Sequence, residues 1–275
     1  MPEMPEVETV RRTLTPLISD KQIKDMVLWY PKIITGDAAD FRQRVIGHRF
    51  EKVDRYGKFL ELRLNDGLTI VSHLRMEGKY RLTTPEAPKD KHDHLEFIFT
   101  DGTALRYNDV RKFGRMQLVL TGTERATTGI GKLGPEPNST EFTWSYFWQA
   151  LQKKHKNIKT ALLDQTLVCG LGNIYVDEVL WFSQIQPLSP ANKIPVAAAK
   201  NLYKWINVII ARATQMRGTT VHTYLDASGH VGGYQLMLHV YGRAGEPCDR
   251  CSHILQKIKV EGRGTTFCEN CQVKY

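Results

Sequence analysis

The chain has no apolar run approaching the roughly eighteen residues that cross a bilayer, which excludes a helical membrane protein. It also lacks a basic-then-apolar leader. Its first residues are acidic and proline-rich, so a secretory signal peptide is not expected. Repeats and low-complexity tracts are absent as well. Cysteine is scarce: of five, four fall after residue 247, and an odd count without a leader argues against a disulfide framework. Acid is in deficit, with 29 Asp and Glu against 38 Lys and Arg for a net charge of +9. That excess favours a polyanionic partner through counterion release, without naming the polyanion. What remains is an ordinary globular composition, 41% apolar and 24% charged over 275 residues, long enough for more than one domain. A cytoplasmic protein is expected, nucleoid-associated if it binds DNA.

The hydrophobic period changes along the chain. Residues 5–18 form a helix pattern: Pro5 suits the first turn, Glu6 and Glu8 suit the positive end of the helix dipole, and Val10, Leu14, Leu17 and Ile18 make the stripe. From about residue 23 to 120 the period is two. Asn65-Asp66-Gly67 and Asp101-Gly102 lie between strand-like runs as hairpin turns. This predicts an antiparallel sheet domain, a sandwich. The glycine- and proline-rich stretch 129–137 is the expected linker. Helical spacing then returns around Phe147 and Leu151, over 158–167, over 174–182 and over 196–216. Lys153, Lys154, His155, Lys156 and Lys159 form the densest basic cluster, which on its own fits a solvated helix face.

Near the end, Cys248-x-x-Cys251 and Cys268-x-x-Cys271 have the spacing of a zinc ribbon, each pair gripping one side of a tetrahedral ion. Four thiolates close the coordination shell, so one structural Zn²⁺ is expected rather than a catalytic one. A tail this short needs such a staple to fold. Gly262-Arg263-Gly264 is the expected turn of the intervening hairpin, with Arg263 projecting from its tip.

The start of the chain, Met1-Pro2-Glu3-Met4-Pro5-Glu6-Val7-Glu8-Thr9, permits a second chemistry. Removal of Met1 exposes a secondary amine on Pro2, with the Glu3 carboxyl beside it. An α-amine is partly neutral near physiological pH, whereas a lysine amine needs a much larger shift to become so. A helix lead-in with acidic capping explains the same residues without chemistry.

This opening resembles that of formamidopyrimidine-DNA glycosylase. The resemblance extends through Arg55-Tyr56-Gly57-Lys58-Phe59, His73-Leu74-Arg75-Met76-Glu77-Gly78 and Asp109-Val110-Arg111-Lys112-Phe113-Gly114. It continues in Leu163-Asp164-Gln165, in Gly170-Leu171-Gly172-Asn173-Ile174-Tyr175 and in the terminal cysteine module, covering the chain from residue 2 to 271 in order. Met4, where the family most often has leucine, is the visible departure, and as a packing side chain it puts nothing catalytic in doubt.

The resemblance implies an α+β multidomain protein. Residues 1–130 would be a catalytic antiparallel β-sandwich with flanking helices. Residues 131–236 would be a helical helix–two-turn–helix domain that binds DNA, and 237–275 a four-cysteine, zinc-binding β-hairpin. It also implies a bifunctional glycosylase and abasic-site lyase acting on oxidised purines in double-stranded DNA. No membrane or partner subunit is required, so a monomer is expected. Pro2 would be the nucleophile and Glu3 its acid/base partner, with Glu6 a second acidic residue nearby. Lys58 is expected in β-elimination and Arg263 in δ-elimination, where a guanidinium serves better as a phosphate clamp than as a proton donor. Met76, Arg111 and Phe113 match the wedge that fills the stack behind an extruded nucleotide. His73, His92, Lys154, Lys159 and Asn173 are the expected backbone contacts, Asn173 also as N-cap of a helix whose positive end suits phosphate. Arg217, Gly218, Thr219, Thr220, Val221, His222, Thr223 and Tyr224 match a loop over the damaged base. Two other readings stay open: an endonuclease VIII-like pyrimidine glycosylase, whose usual opening has glycine in place of Met4, and a catalytically silent binder of damaged DNA.

Overall fold

A computed structural model describes residues 1–220 and 232–275. The chain divides into two compact units. Met1–Gly131 and Arg217–Gly233 form one, and Lys132–Met216 and Tyr234–Tyr275 form the other. The first break falls inside the expected linker. The units differ from the three expected segments: the zinc hairpin and the helices are one compact body, and the base of the expected lesion loop groups with the sandwich.

The first unit opens with α1 (Met4–Ile18), where Glu3 is the N-cap and Glu6, at the third helical position, accepts the Glu3 N–H at 2.7 Å. Val7, Val10, Leu14 and Ile18 are its buried stripe. Full burial contributes about 1.5–3 kcal/mol per such side chain, and Leu14→Ala would cost about 2–5 kcal/mol. Two four-stranded antiparallel sheets follow. One runs β1 (Ile23–Leu28), β6 (Asp93–Phe99), β7 (Ala104–Asn108), β5 (Lys79–Thr83). The other runs β2 (Phe50–Tyr56), β3 (Phe59–Leu64), β4 (Leu68–His73), β8 (Arg115–Leu120). The core sits between them: Phe50 of one sheet meets Phe97 of the other edge-on at 5.7 Å, with Leu60, Leu62, Ile70, Leu95 and Leu105 buried around the pair. The short helices α2 (Ala38–Val45) and α3 (Glu124–Thr127) flank the sandwich. Both expected hairpin turns are present, with Asp66, Gly67 and Gly102 at the positive φ that such turns need.

The second unit contains α4 (Trp144–Gln152), α5 (Ile158–Leu163), α6 (Asn173–Ser183), α7 (Val196–Gln215) and the hairpin β9 (Gln256–Val260)–β10 (Arg263–Phe267). Tyr175 through Trp181 are all buried, so α6 is the central helix, packed by α5, α7 and β10. Three local features differ from the sequence pattern. α5 stops at Leu163 because Asp164 turns extended and its carboxylate takes the Thr166 N–H at 3.0 Å. Gly172, not Asn173, is the N-cap of α6, freeing the Asn173 amide for another contact. The hairpin turn is Glu261-Gly262, both at positive φ, which places Arg263 on β10 opposite Val260. Among the described residues no helix is long and apolar enough to cross a membrane.

Candidate active site, wedge and zinc centre

The head of α1 gathers acid around the chain's first amine. Glu3 and Glu6 are each 2% exposed, and Pro2 is buried. Burial lowers the pKa of the Met1 amine. Glu3, Glu6 and Glu77 act to raise it, Lys58 to lower it, and burial prevails. Lys58 is 6% exposed and sits at a two-residue turn, since Tyr56 pairs with Phe59 and Gly57 takes φ +57°. That turn is tied to α1. Arg55 donates to the Gly57 carbonyl at 2.9 Å and to the Glu8 carboxylate at 3.1 Å. Burial alone would raise the Glu8 carboxyl, but hydrogen bonds from Arg11, Arg12 and Arg55 hold it down to about 2.

Glu6 also holds the base of the expected lesion loop. Its Oε1 accepts the Thr219 N–H at 2.7 Å and the Thr219 hydroxyl at 3.2 Å. Gly218, at φ +72°, lies so close that a Cβ there would stand 2.4 Å from the same oxygen. Across the stem, Gly232 N–H donates to Thr220 Oγ1 at 2.8 Å. Arg217 is exposed at the start of the stem. Val221, His222, Thr223 and Tyr224 lie outside the described residues.

The expected wedge residues lie on two loops of the sandwich. Met76 is half-buried after β4, while Phe113 is 48% exposed, with the Arg111 guanidinium 4.9 Å from its ring. Asp109 fixes the second loop by accepting the N–H groups of Arg111 at 3.0 Å and Gly114 at 2.8 Å. Both loops close on one buried phenol. A Cβ on Gly78 would come within 2.1 Å of the Tyr107 hydroxyl, and one on Gly114 within 1.8 Å, so both positions need glycine. That hydroxyl has no hydrogen-bond partner among the described residues. His73 accepts the Arg75 N–H on Nδ1 at 2.9 Å. Burial, with Arg75 and Lys58 nearby, pushes its pKa down to about 3, so it is a neutral imidazole with Nε2–H left as donor. His92 is half-buried on the loop before β6.

In the second unit the expected phosphate contacts separate. Lys159 is corrected: it is fully buried, with Nζ 2.6 Å from Asp177 Oδ1 and 3.2 Å from the Gly264 carbonyl, so it braces the hairpin and cannot meet a phosphate. Asn173 also donates to the Gly264 carbonyl, at 2.9 Å. Lys154 is half-buried and paired with Asp164 at 2.6 Å. Arg263 is exposed and, with Lys153, Lys154, His155 and Lys156, lines a cleft of about 540 Å³ that also takes in Asp164 and Glu261. Two braces have no role assigned from the sequence. Gln165 spans the turn before α6, accepting the Gly170 N–H at 3.0 Å and donating to the Leu171 carbonyl at 2.9 Å. The buried Glu178 accepts three successive N–H groups, from His239, Val240 and Tyr241, each at 2.9 Å.

The four cysteines converge: Sγ atoms of Cys248, Cys251, Cys268 and Cys271 all lie within 4.8 Å of one another. Cys251 and Cys268 are 3.5 Å apart and Cys248 and Cys271 are 4.0 Å apart. A tetrahedral zinc with sulfur at about 2.3 Å requires sulfurs about 3.8 Å apart, so the donor set fits. Hydrogen bonds, the Asn270 side chain foremost, pull Cys251 down to about 6, while burial and the neighbouring sulfurs push Cys271 up to about 12.

A sandwich with an N-terminal amine among carboxylates, joined to a helical unit that carries a four-cysteine hairpin, is the architecture of the DNA glycosylases that end in a zinc finger. Residues 1–116 match the formamidopyrimidine-DNA glycosylase N-terminal domain. Residues 133–225 match its H2TH domain, and 245–273 the zinc finger found in FPG and IleRS. A formamidopyrimidine-DNA glycosylase of Lactobacillus gasseri is 68% identical over the whole of both chains, and that of Lactobacillus helveticus is 65% identical, again over both full lengths. The Lactococcus lactis enzyme bound to DNA containing an abasic site superposes with a TM-score of 0.94 at 43% identity, covering 99% of this chain and 100% of that one. The chain belongs to the formamidopyrimidine-DNA glycosylase family.

Proposed function

We propose that this protein excises oxidised purines, 8-oxoguanine and formamidopyrimidines, from double-stranded DNA and then cleaves the strand at the abasic site. The observation that supports it most is the chain's first amine at the head of α1, held below its ordinary value and set among Glu3, Glu6, Glu77 and Lys58. While Met1 is attached, the Pro2 nitrogen is an amide and cannot attack. Its removal moves the free amine one residue inward, to a buried position where the neutral, nucleophilic form is favoured further.

The extruded nucleotide would present C1′ to Pro2. The new N–C1′ bond forms as the glycosidic bond breaks, and the base leaves with its bonding pair and a proton. Glu3 protonates the opening sugar ring oxygen. A secondary amine yields an iminium with no N–H to lose, and its fixed positive charge acidifies the adjacent C2′ proton and drives β-elimination. Lys58 would serve the departing phosphate, and Arg263 would clamp the phosphate lost in δ-elimination. His73, as a neutral N–H donor, with His92, Lys154 and Asn173, would hold the backbone. Met76, Arg111 and Phe113 would occupy the vacated stack, offsetting an unstacking cost of a few kcal/mol. Gly218, Thr219 and Thr220 would anchor the loop over the base through Glu6. Zinc would hold the hairpin through Cys248, Cys251, Cys268 and Cys271. Acting on chromosomal DNA, the enzyme would be nucleoid-associated.

One Lactococcus lactis structure, with a TM-score of 0.93, holds DNA containing an oxidised pyrimidine, so the test includes that substrate. Protein lacking Met1 is incubated with duplexes carrying either lesion, and borohydride is added to reduce the iminium. A covalent adduct is expected, preferentially with the oxidised purine. Acetylating the Pro2 amine should abolish it. A preference for the pyrimidine moves the assignment to an endonuclease VIII-like enzyme, and no adduct on any lesion leaves a binder of damaged DNA.

A further inference from the structure

A zinc centre with four cysteine ligands carries a net double negative charge, since four thiolates outweigh one divalent cation. Held against a protein core, such a dianion needs hydrogen-bond donors aimed at its sulfurs, because an uncompensated buried charge is costly. The cysteine cluster packs on α6, where Trp181, 4% exposed, belongs to the same buried group as Cys248 and Cys268. The Trp181 indole Nε1–H donates to Cys248 Sγ at 3.4 Å, within the normal range for a bond to sulfur.

The indole is not free to swing away. The His239 ring stacks on it at 4.5 Å and 7° between planes, and the Arg250 guanidinium lies 4.1 Å from its centroid. Arg250 also donates to the Trp181 carbonyl at 3.2 Å, and Phe182 closes the edge at 4.9 Å. His239 is itself fixed, its backbone N–H on Glu178 at 2.9 Å and its ring Nδ1 2.7 Å from Asp249. A clamped donor directed at a single sulfur is the arrangement by which outer groups orient a metal ligand and draw off its charge.

We infer that Trp181 is a positioning residue of the zinc centre, its indole N–H holding the Cys248 thiolate and slowing loss of the metal. Charge withdrawn from that sulfur makes it a poorer base, so a proton competes less well for the ligand. The Arg250 guanidinium beside the ring strengthens the N–H as a donor by polarising the indole. The inference rests on the zinc assignment alone and is tested without DNA, so its failure and failure of the substrate assignment are separate outcomes.

Two measurements test it. The purified zinc protein is challenged with a colorimetric chelator, and zinc transfer is timed for the parent and for Trp181→Phe, which keeps a ring but removes the donor. Transfer about 10-fold faster in the variant is expected, at the low end of what outer-shell partners contribute to metal affinity. The second measurement uses the parent chain alone and holds even if the variant folds poorly. With cadmium-113 in place of zinc, one indole proton should show scalar coupling to the metal through the Cys248 sulfur, a signal that packing alone cannot produce. Equal transfer rates, or no indole proton coupled to cadmium, would overturn the assignment.

Discussion

Replacing Lys159 by methionine isolates the contribution of one buried charge. Lys159 and Asp177 are both 0% exposed with 2.6 Å between Nζ and Oδ1, and Asp177 Oδ2 also accepts the Thr266 N–H at 3.1 Å. Methionine fills a similar volume, so the perturbation is mainly electrical: a carboxylate loses its counter-ion where water cannot reach it, and the Gly264 carbonyl loses one donor. Breaking a buried pair from one side costs about 3–5 kcal/mol. At roughly 2–4 °C per kcal/mol for a domain of this size, Tm at pH 8 should fall by about 10 °C. The pH dependence supplies the sign. Burial raises Asp177 to about 7 even beside its lysine, so between the ordinary carboxylate range and that value the folded chain binds the extra proton. The stability linked to Asp177 is present below that window and is lost as pH rises through it. Without Lys159 the carboxyl rises further, and the deficit at pH 8 should shrink at pH 6, where the stranded group takes a proton. Thermal unfolding followed by circular dichroism at both pH values reads this out. A Tm at pH 8 within about 2 °C of the parent, less than a single kcal/mol would produce, or a deficit that grows on acidification, refutes the reasoning.

Gly114→Ala should cost at least about 2 kcal/mol, because its Cβ would lie 1.8 Å from the Tyr107 hydroxyl and 2.8 Å from the ring carbon that bears it, and adding Tyr107→Phe should return only part of the loss in urea unfolding. No rescue at all would mean that the ring, not the hydroxyl, decides the position. His73 should remain neutral on acidification well below the ordinary imidazole range, and the stability it supplies is present above that range and lost as pH falls towards about 3. An NMR titration of its ring with a midpoint in the ordinary imidazole range would contradict this. Zinc removal should unfold the β9–β10 hairpin and weaken DNA binding, since Arg263 lies on it, and unchanged affinity after verified metal loss would count against that placement. Pro2→Ala should lose most strand cleavage while DNA binding persists, and undiminished borohydride trapping would exclude Pro2 as the nucleophile.

Patterns that depend on near neighbours were legible in advance. The α1 stripe, the aspartate-glycine hairpin turns, the linker and the paired Cys-x-x-Cys knuckles all follow from period or spacing, and each stands in the structure close to where it was expected. What escaped depends on partners distant in sequence. Lys159 sits next to a basic run and resembles part of a solvated face until Asp177, on the following helix, takes it inside. Asn173 has the composition of an N-cap, yet Gly172 fills that role and the Asn173 amide reaches Gly264, 91 residues away. Arg263 moved off the turn because Glu261 and Gly262 already supply the two left-handed residues that a tight hairpin needs. The phenol of Tyr107, under both wedge loops, has no local signature.

The Gly264 carbonyl, where Lys159 and Asn173 converge, has a consequence for engineering. Zinc knuckles are often treated as cassettes, moved between proteins with their metal as the sole requirement. Here one backbone oxygen beside Arg263 is claimed by two side chains from two different helices, and zinc has no part in either contact. A hairpin transplanted from this chain would still bind its metal and lose its aim. A foreign hairpin grafted in would function only if it offered a carbonyl at that place, within reach of both the lysine and the asparagine.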